Sequence, residues 1–373
     1  MKSTEGKHFV GLDKIRGFAA FLVFVWHFRN SGMVPGTQLP GTFDFFGNSL
    51  LAEGHTGVGI FMVLSGYLFV KLTEGRQLLF RPFLFNRFMR LAPLMGLVLA
   101  IRLVLAAFEG LTPFEQQLMA TLKGFVLPTW PNGGWSITIE AQFYLIFPIL
   151  LLILRKRTRW LIAVLVAALL IRTGVYELFG VKVVRLAYQT IFGRIDQFVI
   201  GMLLGQLGGF MRGRHFEAGV TSVTFLLLWA MFARYGGFYG TQEVQKAWIW
   251  IWIPLAEAVA YGLLIAYYDT TFRPPRTGVS GLLGKIGEWS FSIYLLHRFL
   301  VAPMKSFLVA QGIAFDSFYE MLLYSLPCFA LTCLVSWITY EQFEKRFLKR
   351  RRPYLAGQQR EAVPPEPLAA TAP

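Results

Sequence analysis

Apolar residues in this chain neither alternate nor recur in narrow stripes; they run in blocks of about twenty, broken by short polar segments. A helix of that length covers a hydrocarbon core of about 30 Å at about 1.5 Å per residue. Ten such blocks stand out, at 10–29, 55–71, 91–109, 136–154, 160–179, 191–210, 217–235, 247–268, 287–305 and 318–340. Backbone in lipid must satisfy its own hydrogen bonds, so the blocks predict helices. The expectation is an all-α polytopic membrane protein with about ten transmembrane helices. The longest linker, Gly110 to Gly134, holds Pro113, Pro128, Pro131 and Gly133-Gly134, with a short interfacial helix expected around Phe114–Phe125. No fixed-period repeat or inverted duplication is visible.

The polar segments carry charge unevenly. Basic clusters fall at Lys2/Lys7, Arg76/Arg81/Arg87/Arg90, Arg155–Arg159, Arg212/Arg214, Arg273/Arg276/Lys285 and Lys345–Arg352, in every second linker. The positive-inside rule then puts all of them, and both termini, in the cytoplasm, as an even span count requires. The first block follows a basic start, as a signal peptide would, but no small-residue cleavage pattern follows it, so an uncleaved span is expected. Residues 1–345 form the expected transmembrane domain. Residues 346–373 form a basic juxtamembrane segment and a cytoplasmic tail whose Pro, Ala, Gln and Glu content predicts disorder.

Composition agrees. Of 373 residues, 55% are hydrophobic and only 15% charged, against about 25% charged in soluble domains. A net charge of +15 invites a nucleic-acid partner, but topology and attraction to anionic lipid account for it. The expected partners are membrane lipids and no nucleic acid. Cys328 and Cys333 share one late block, which argues against a disulfide framework or zinc cluster, and no metal is expected.

Against this apolar background the ionisable residues are the informative ones, because each costs about 2.5–3.5 kcal/mol at a helix centre and normally faces a polar cavity or a partner. In the first block, Arg16 and His27 are eleven residues apart. That is three turns plus about 20°, one stripe with its ends about 16 Å apart. The plainer reading has Trp26-His27 as an interfacial anchor and Arg16 as a topogenic charge. The chemical reading is a cavity with a cation near one face and, near the other, an imidazole able to take and return a proton. Asp13 lies beside them.

Three further segments carry the same ambiguity. Arg87 and Arg90 share a helix face and suit a phosphorylated ligand, or lipid headgroups. Ser136, Glu140 and Tyr144 make one polar ridge at i, i+4 and i+8, where Glu140 needs a partner. Ser290, Tyr294 and His297 form another ridge, with helix–helix hydrogen bonding as the plainer reading. Arg194 and Asp196 are expected to pair with Glu140 or a ligand, and Gly201-Met-Leu-Leu-Gly205 to pack closely on another helix. There is no P-loop, nucleophile elbow or zinc helix.

Taken in order, Arg16-x10-His27, Gly57-Val-Gly-Ile-Phe-Met-Val-Leu-Ser-Gly-Tyr-Leu68, Arg87-Phe-Met-Arg90-Leu-Ala-Pro93, Trp135-Ser-Ile-Thr-Ile-Glu140-Ala-Gln-Phe-Tyr-Leu-Ile-Phe-Pro148 and Trp289-Ser-Phe-Ser-Ile-Tyr-Leu-Leu-His297 resemble the membrane acyltransferase-3 family, from about residue 8 to residue 345. The resemblance implies about ten spans in a bacterial inner membrane. It implies an acyl-CoA donor taken from the cytoplasm, acetyl-CoA in the simplest case, and an acceptor glycan or lipid-linked sugar modified outside. His27 would be the general base. Arg16 would be its paired arginine and a further cation for the donor phosphates beside Arg87 and Arg90. Ser136, Tyr144 or His297 would donate to the oxyanion, and Glu140 would orient His27 or the acceptor. An acyl-His27 intermediate is the other route. Many relatives add an extracytoplasmic esterase-like domain, which is not expected in this chain. The competing class is a transporter or flippase of a polar or lipid-linked substrate.

Overall fold

The computed structural model describes residues 9–34, 37–73, 75–109, 113–130, 133–179, 183–240 and 246–356; Lys2, Lys7 and the tail from residue 357 lie outside them. Among the described residues there are helices and no strands, apart from one isolated bridge, Leu78 to Leu355.

Every expected block is a helix. In chain order the elements are α1 (Val10–Asn30), the short α2 (Phe46–Ala52), α3 (Gly57–Thr73), α4 (Phe80–Glu109) and the linker helix α5 (Phe114–Lys123). They continue with α6 (Trp135–Arg157), α7 (Arg159–Phe179), the short α8 (Val183–Gln189), α9 (Ile191–Gln206) and α10 (His215–Arg234). The last are α11 (Ile249–Thr271), the short α12 (Gly278–Glu288), α13 (Ser290–Ala310), α14 (Phe318–Thr339) and α15 (Lys345–Leu348). Eight helices among the described residues are long and apolar enough to cross a membrane. The blocks at α1 and α9 fall short because α1 carries Asp13, Lys14, Arg16 and Arg29, while α9 has only 16 residues.

Burial explains why those two tolerate polarity. Phe198, Val199 and Met202 of α9 and Leu22, Phe24 and Val25 of α1 are fully buried, so these helices meet protein where the outer ones meet lipid. The apolar window of α3 is 89% buried and that of α7 17%, which separates centre from periphery. At the centre, α3 and α9 approach through glycine. A Cβ on Gly66 would strike the Phe198 carbonyl, and one on Gly201 the Val63 carbonyl. The expectation for Gly201 and Gly205 is met in this contact: both face α3 backbone.

Two features position the site. Helix α4 begins eleven residues ahead of its expected span, and its 30 residues reach about 45 Å. Its first turns, with Arg87 and Arg90, therefore stand at the end of the bundle where the basic linkers gather. Helix α14 runs into a π-helical turn, Tyr340–Glu344, and then α15. The chain returns along α4, where Asn86 and Arg352 exchange two hydrogen bonds of 2.7 Å and Leu79 N–H donates to the Tyr354 carbonyl at 2.8 Å.

Candidate active site

Two cavities lie along the line from Arg16 to His27. The first, of about 690 Å³, opens among α1, α3, α4, α6 and α13 at the basic end and is lined by Arg16, Arg87, Arg90, Ser136, Glu140 and Tyr144, among others. Arg16 is buried and 3.3 Å from Asp13. The Arg87 guanidinium lies in an aromatic cage, 4.9 Å from the Phe69 ring centre and 5.4 Å from that of Phe83, and Arg90 lies 5.7 Å from the Phe291 ring. Cation–π contact of this kind holds a guanidinium without neutralising it. Glu140 accepts hydrogen bonds from Tyr144 and, at 3.5 Å, from Ser65, which supplies the partners its burial requires. Just beyond α15, burial and the neighbouring Arg90 and Arg87 push Arg351 down from the usual arginine range to about 10. The like charges crowd one another, an arrangement that an arriving anion relieves.

The second cavity, of about 740 Å³, is lined by His27, His55, His297, Arg298, Trp26 and Tyr239 together with other aromatic residues. The His27 and His297 rings lie 4.8 Å apart, and Trp26 stacks in parallel on Tyr239 at 5.3 Å. The Ile293 carbonyl, 3.1 Å from His297 Nδ1, can only accept, so Nδ1 carries the proton and Nε2 keeps its lone pair. That Nε2 is buried and has no partner. The Arg298 guanidinium can only donate, so at 3.5 Å it faces a lone pair on His27 Nδ1.

Between the cavities stands a collar. Val58 and Tyr294 line both. The Tyr294 hydroxyl is 2.7 Å from Ser136 Oγ and donates to the Gly133 carbonyl at 3.1 Å, tying α13 to the start of α6. The cavity expected from the sequence is thus two chambers with the Ser136–Tyr294 hydroxyl pair between them.

The predicted residues divide between the chambers. Arg16, Arg87, Arg90, Glu140 and Tyr144 gather in the first, His27 and His297 in the second, and Ser136 lies at the collar. Glu140 does not line the chamber of His27; Tyr144 and Ser65 hold it on the other side. The expectation for Arg194 and Asp196 is corrected. Asp196 pairs with Arg172 at 2.8 Å and Arg194 with Glu257 at 3.1 Å, all four side chains buried. Glu257 also accepts from Gln197 at 2.7 Å and Thr56 at 2.6 Å, and the Tyr188 hydroxyl donates to the His55 carbonyl at 2.8 Å. This polar lattice lies behind the lining residues Tyr188 and His55 of the second chamber, with Arg194 4.0 Å from the Tyr188 ring, and each ion in it pairs with another.

His55 and Arg298 went unnoticed in the sequence. His55 sits in a turn, with Nε2 3.3 Å from Glu53, and its one signal was an imidazole at the head of the second apolar block. Arg298 directly follows His297, and a charge inside an apolar block was the cue. Arg351 was counted only among the basic residues after the last span.

The acyltransferase-domain family profile matches residues 9–341. The chain is 26% identical over 324 residues to acyltransferase MdmB of Streptomyces mycarofaciens, covering 78% of each protein. It is 26% identical over 276 residues to exopolysaccharide production protein ExoZ of Rhizobium meliloti, covering 70% of this chain and 80% of the relative. Peptidoglycan O-acetyltransferase OatA of Listeria monocytogenes matches at 26% over 179 residues, 40% of this chain and 25% of that protein. No solved structure matches the chain. With a family profile spanning nearly its whole length, laid over a multi-span helical bundle, the chain belongs to the acyltransferase-3 family of multi-pass bacterial inner-membrane proteins.

Proposed function

We propose that this protein is an O-acyltransferase that moves an acyl group, acetyl in the simplest case, from cytoplasmic acyl-CoA to a hydroxyl of an extracytoplasmic glycan or lipid-linked sugar. One observation carries the reading: a cationic chamber and a histidine-lined chamber meet at a single hydroxyl pair, Ser136 and Tyr294. A thioester donor needs cations at its phosphate end and a base at its reacting end, and the two chambers offer them in that order. The names of ExoZ and OatA support a polysaccharide acceptor, and the Trp26–Tyr239 stack offers a sugar ring an aromatic face.

In this scheme the donor phosphates lie against Arg87 and Arg90, with Arg16 and Arg351 adding positive potential, and the pantetheine arm passes the collar. An acceptor hydroxyl takes the place of Arg298 at His27 Nδ1. His27 removes its proton as the oxygen attacks the thioester carbonyl. Ser136 and Tyr294 donate to the developing oxyanion, with Arg298 adding charge. The C–S bond then breaks, the ester forms, and the CoA thiolate leaves, taking up the proton from His27. Glu140 and Tyr144 belong to the donor side, where they set the arm's path. A second reading gives the proton to His297, which lines the same chamber and whose Nε2 has no hydrogen-bond partner.

The test is acyl transfer by the purified full-length protein in liposomes with acetyl-CoA and envelope glycans. Acceptor-dependent release of the CoA thiol, with an alkali-labile acetyl ester on the glycan, is the expected result. CoA release that does not depend on any acceptor would contradict it. A His27→Ala protein that matches wild type while His297→Ala is inactive would move the base to His297.

A further inference from the structure

On the far side of α3 from the donor chamber lies a third concavity, of about 1,220 Å³. The two are separate: Ser65 and Phe69 of α3 line the donor chamber, whereas Tyr67 and Lys71 line this one. On a helix these pairs point to opposite sides. Arg155 at the end of α6, Arg212 after α9 and Arg273 after α11 converge here with Lys71.

We propose that this bowl is a phosphate-binding site distinct from the acyl-transfer passage. Its one carboxylate, Asp269, is already used, accepting from Lys71 and, at 2.8 Å, from the Tyr67 hydroxyl. The three guanidiniums have no carboxylate partner among the described residues. Arg155 donates to the Thr73 carbonyl at 3.3 Å and Arg273 to the Asp269 carbonyl at 2.9 Å. Those contacts hold the side chains in place and leave their charge uncompensated. Topology explains why basic residues gather at this end, but not why four separate segments aim them into one hollow.

A phosphate group, whether a diester or a monoester, fits the forked donors that guanidiniums present. Such a group can come from an anionic phospholipid headgroup or from a soluble phosphate. This site does not depend on the acyl-transfer reading, and none of its cations belongs to that machinery.

The experiment measures thermal unfolding of the full-length protein in neutral detergent, titrated in one arm with phosphatidylglycerol in phosphatidylcholine micelles and in the other with inorganic pyrophosphate. Wild type should gain Tm in at least one arm, because a ligand of the folded state stabilises it. A rise with phosphatidylglycerol alone assigns a headgroup, and a rise with pyrophosphate a soluble phosphate. In Arg212→Gln/Arg273→Gln the titration midpoint should move by about tenfold or more, as expected for losing two charged contacts. Should that double variant fail to fold, Arg155→Gln and Arg212→Gln singly give the same test. No rise in either arm, or an unchanged midpoint in the variants, overturns the proposal.

Discussion

The donor chamber and the histidine chamber both border α1, one at Arg16 and the other at His27, yet they meet the cost of burying polar groups in different ways. In the first, Arg16 pairs with Asp13, while the Arg87 and Arg90 guanidiniums lie against aromatic faces and crowd Arg351 with like charge. In the second, each ion behind the chamber has an ion partner, Arg172 with Asp196 and Arg194 with Glu257, and among the lining rings His297 Nε2 is buried without a hydrogen-bond partner. Uncancelled positive charge suits an anion, and uncommitted lone pairs suit a proton. The collar keeps these two kinds of incompleteness apart, and the predictions test whether they are separable.

The sharpest break comes at His27. His27→Ala should lower the rate of acyl transfer by about 10²–10⁴-fold, with the α-helical circular dichroism and membrane extraction of wild type. Next in size is the wall of the histidine chamber. Glu257→Ala leaves Arg194 buried without its carboxylate and should cost about 3–5 kcal/mol, read as a clear drop in Tm in detergent. Replacing the partners together, Arg194→Met/Glu257→Leu, should recover much of that stability.

On the other side of the collar, Arg87→Ala or Arg90→Ala should raise the donor KM by about tenfold or more, the scale of one charged hydrogen bond, and leave kcat within severalfold. Equal donor KM in wild type and variants would remove the arginines from the donor end. The smallest effect on stability belongs to the collar. Tyr294→Phe loses two hydrogen bonds worth about 1 kcal/mol each. It should lower Tm modestly and, with one oxyanion donor gone, lower kcat by about 10²–10³-fold without changing donor affinity.

Much of this arrangement was legible in the sequence. Each of the ten apolar blocks proved to be a helix, because a run of about twenty apolar residues has few other stable forms in lipid. The spacing of Ser136, Glu140 and Tyr144 put all three in one chamber for the same reason: helical periodicity survives folding. What the residues did not show is partnership across the bundle. Asp196 finds Arg172 on α7 and Arg194 finds Glu257 on α11, and no spacing rule connects helices so far apart in sequence. The early start of α4 was hidden because Phe80–Arg90 is too charged to read as a span, although it continues the same helix. The collar was hidden too. Ser136 and Tyr294 were each visible on a ridge, but their contact joins residues 158 positions apart.

The most direct measurement is the affinity of a non-transferable acetyl-CoA analogue for three purified proteins: wild type, His27→Ala and Arg87→Ala/Arg90→Ala. Two separable chambers predict that His27→Ala binds the analogue within about twofold of wild type while the arginine pair loses affinity by about a hundredfold, two charged contacts at about tenfold each. Loss of analogue binding in His27→Ala, or wild-type binding without the two arginines, would contradict the division of labour across the collar.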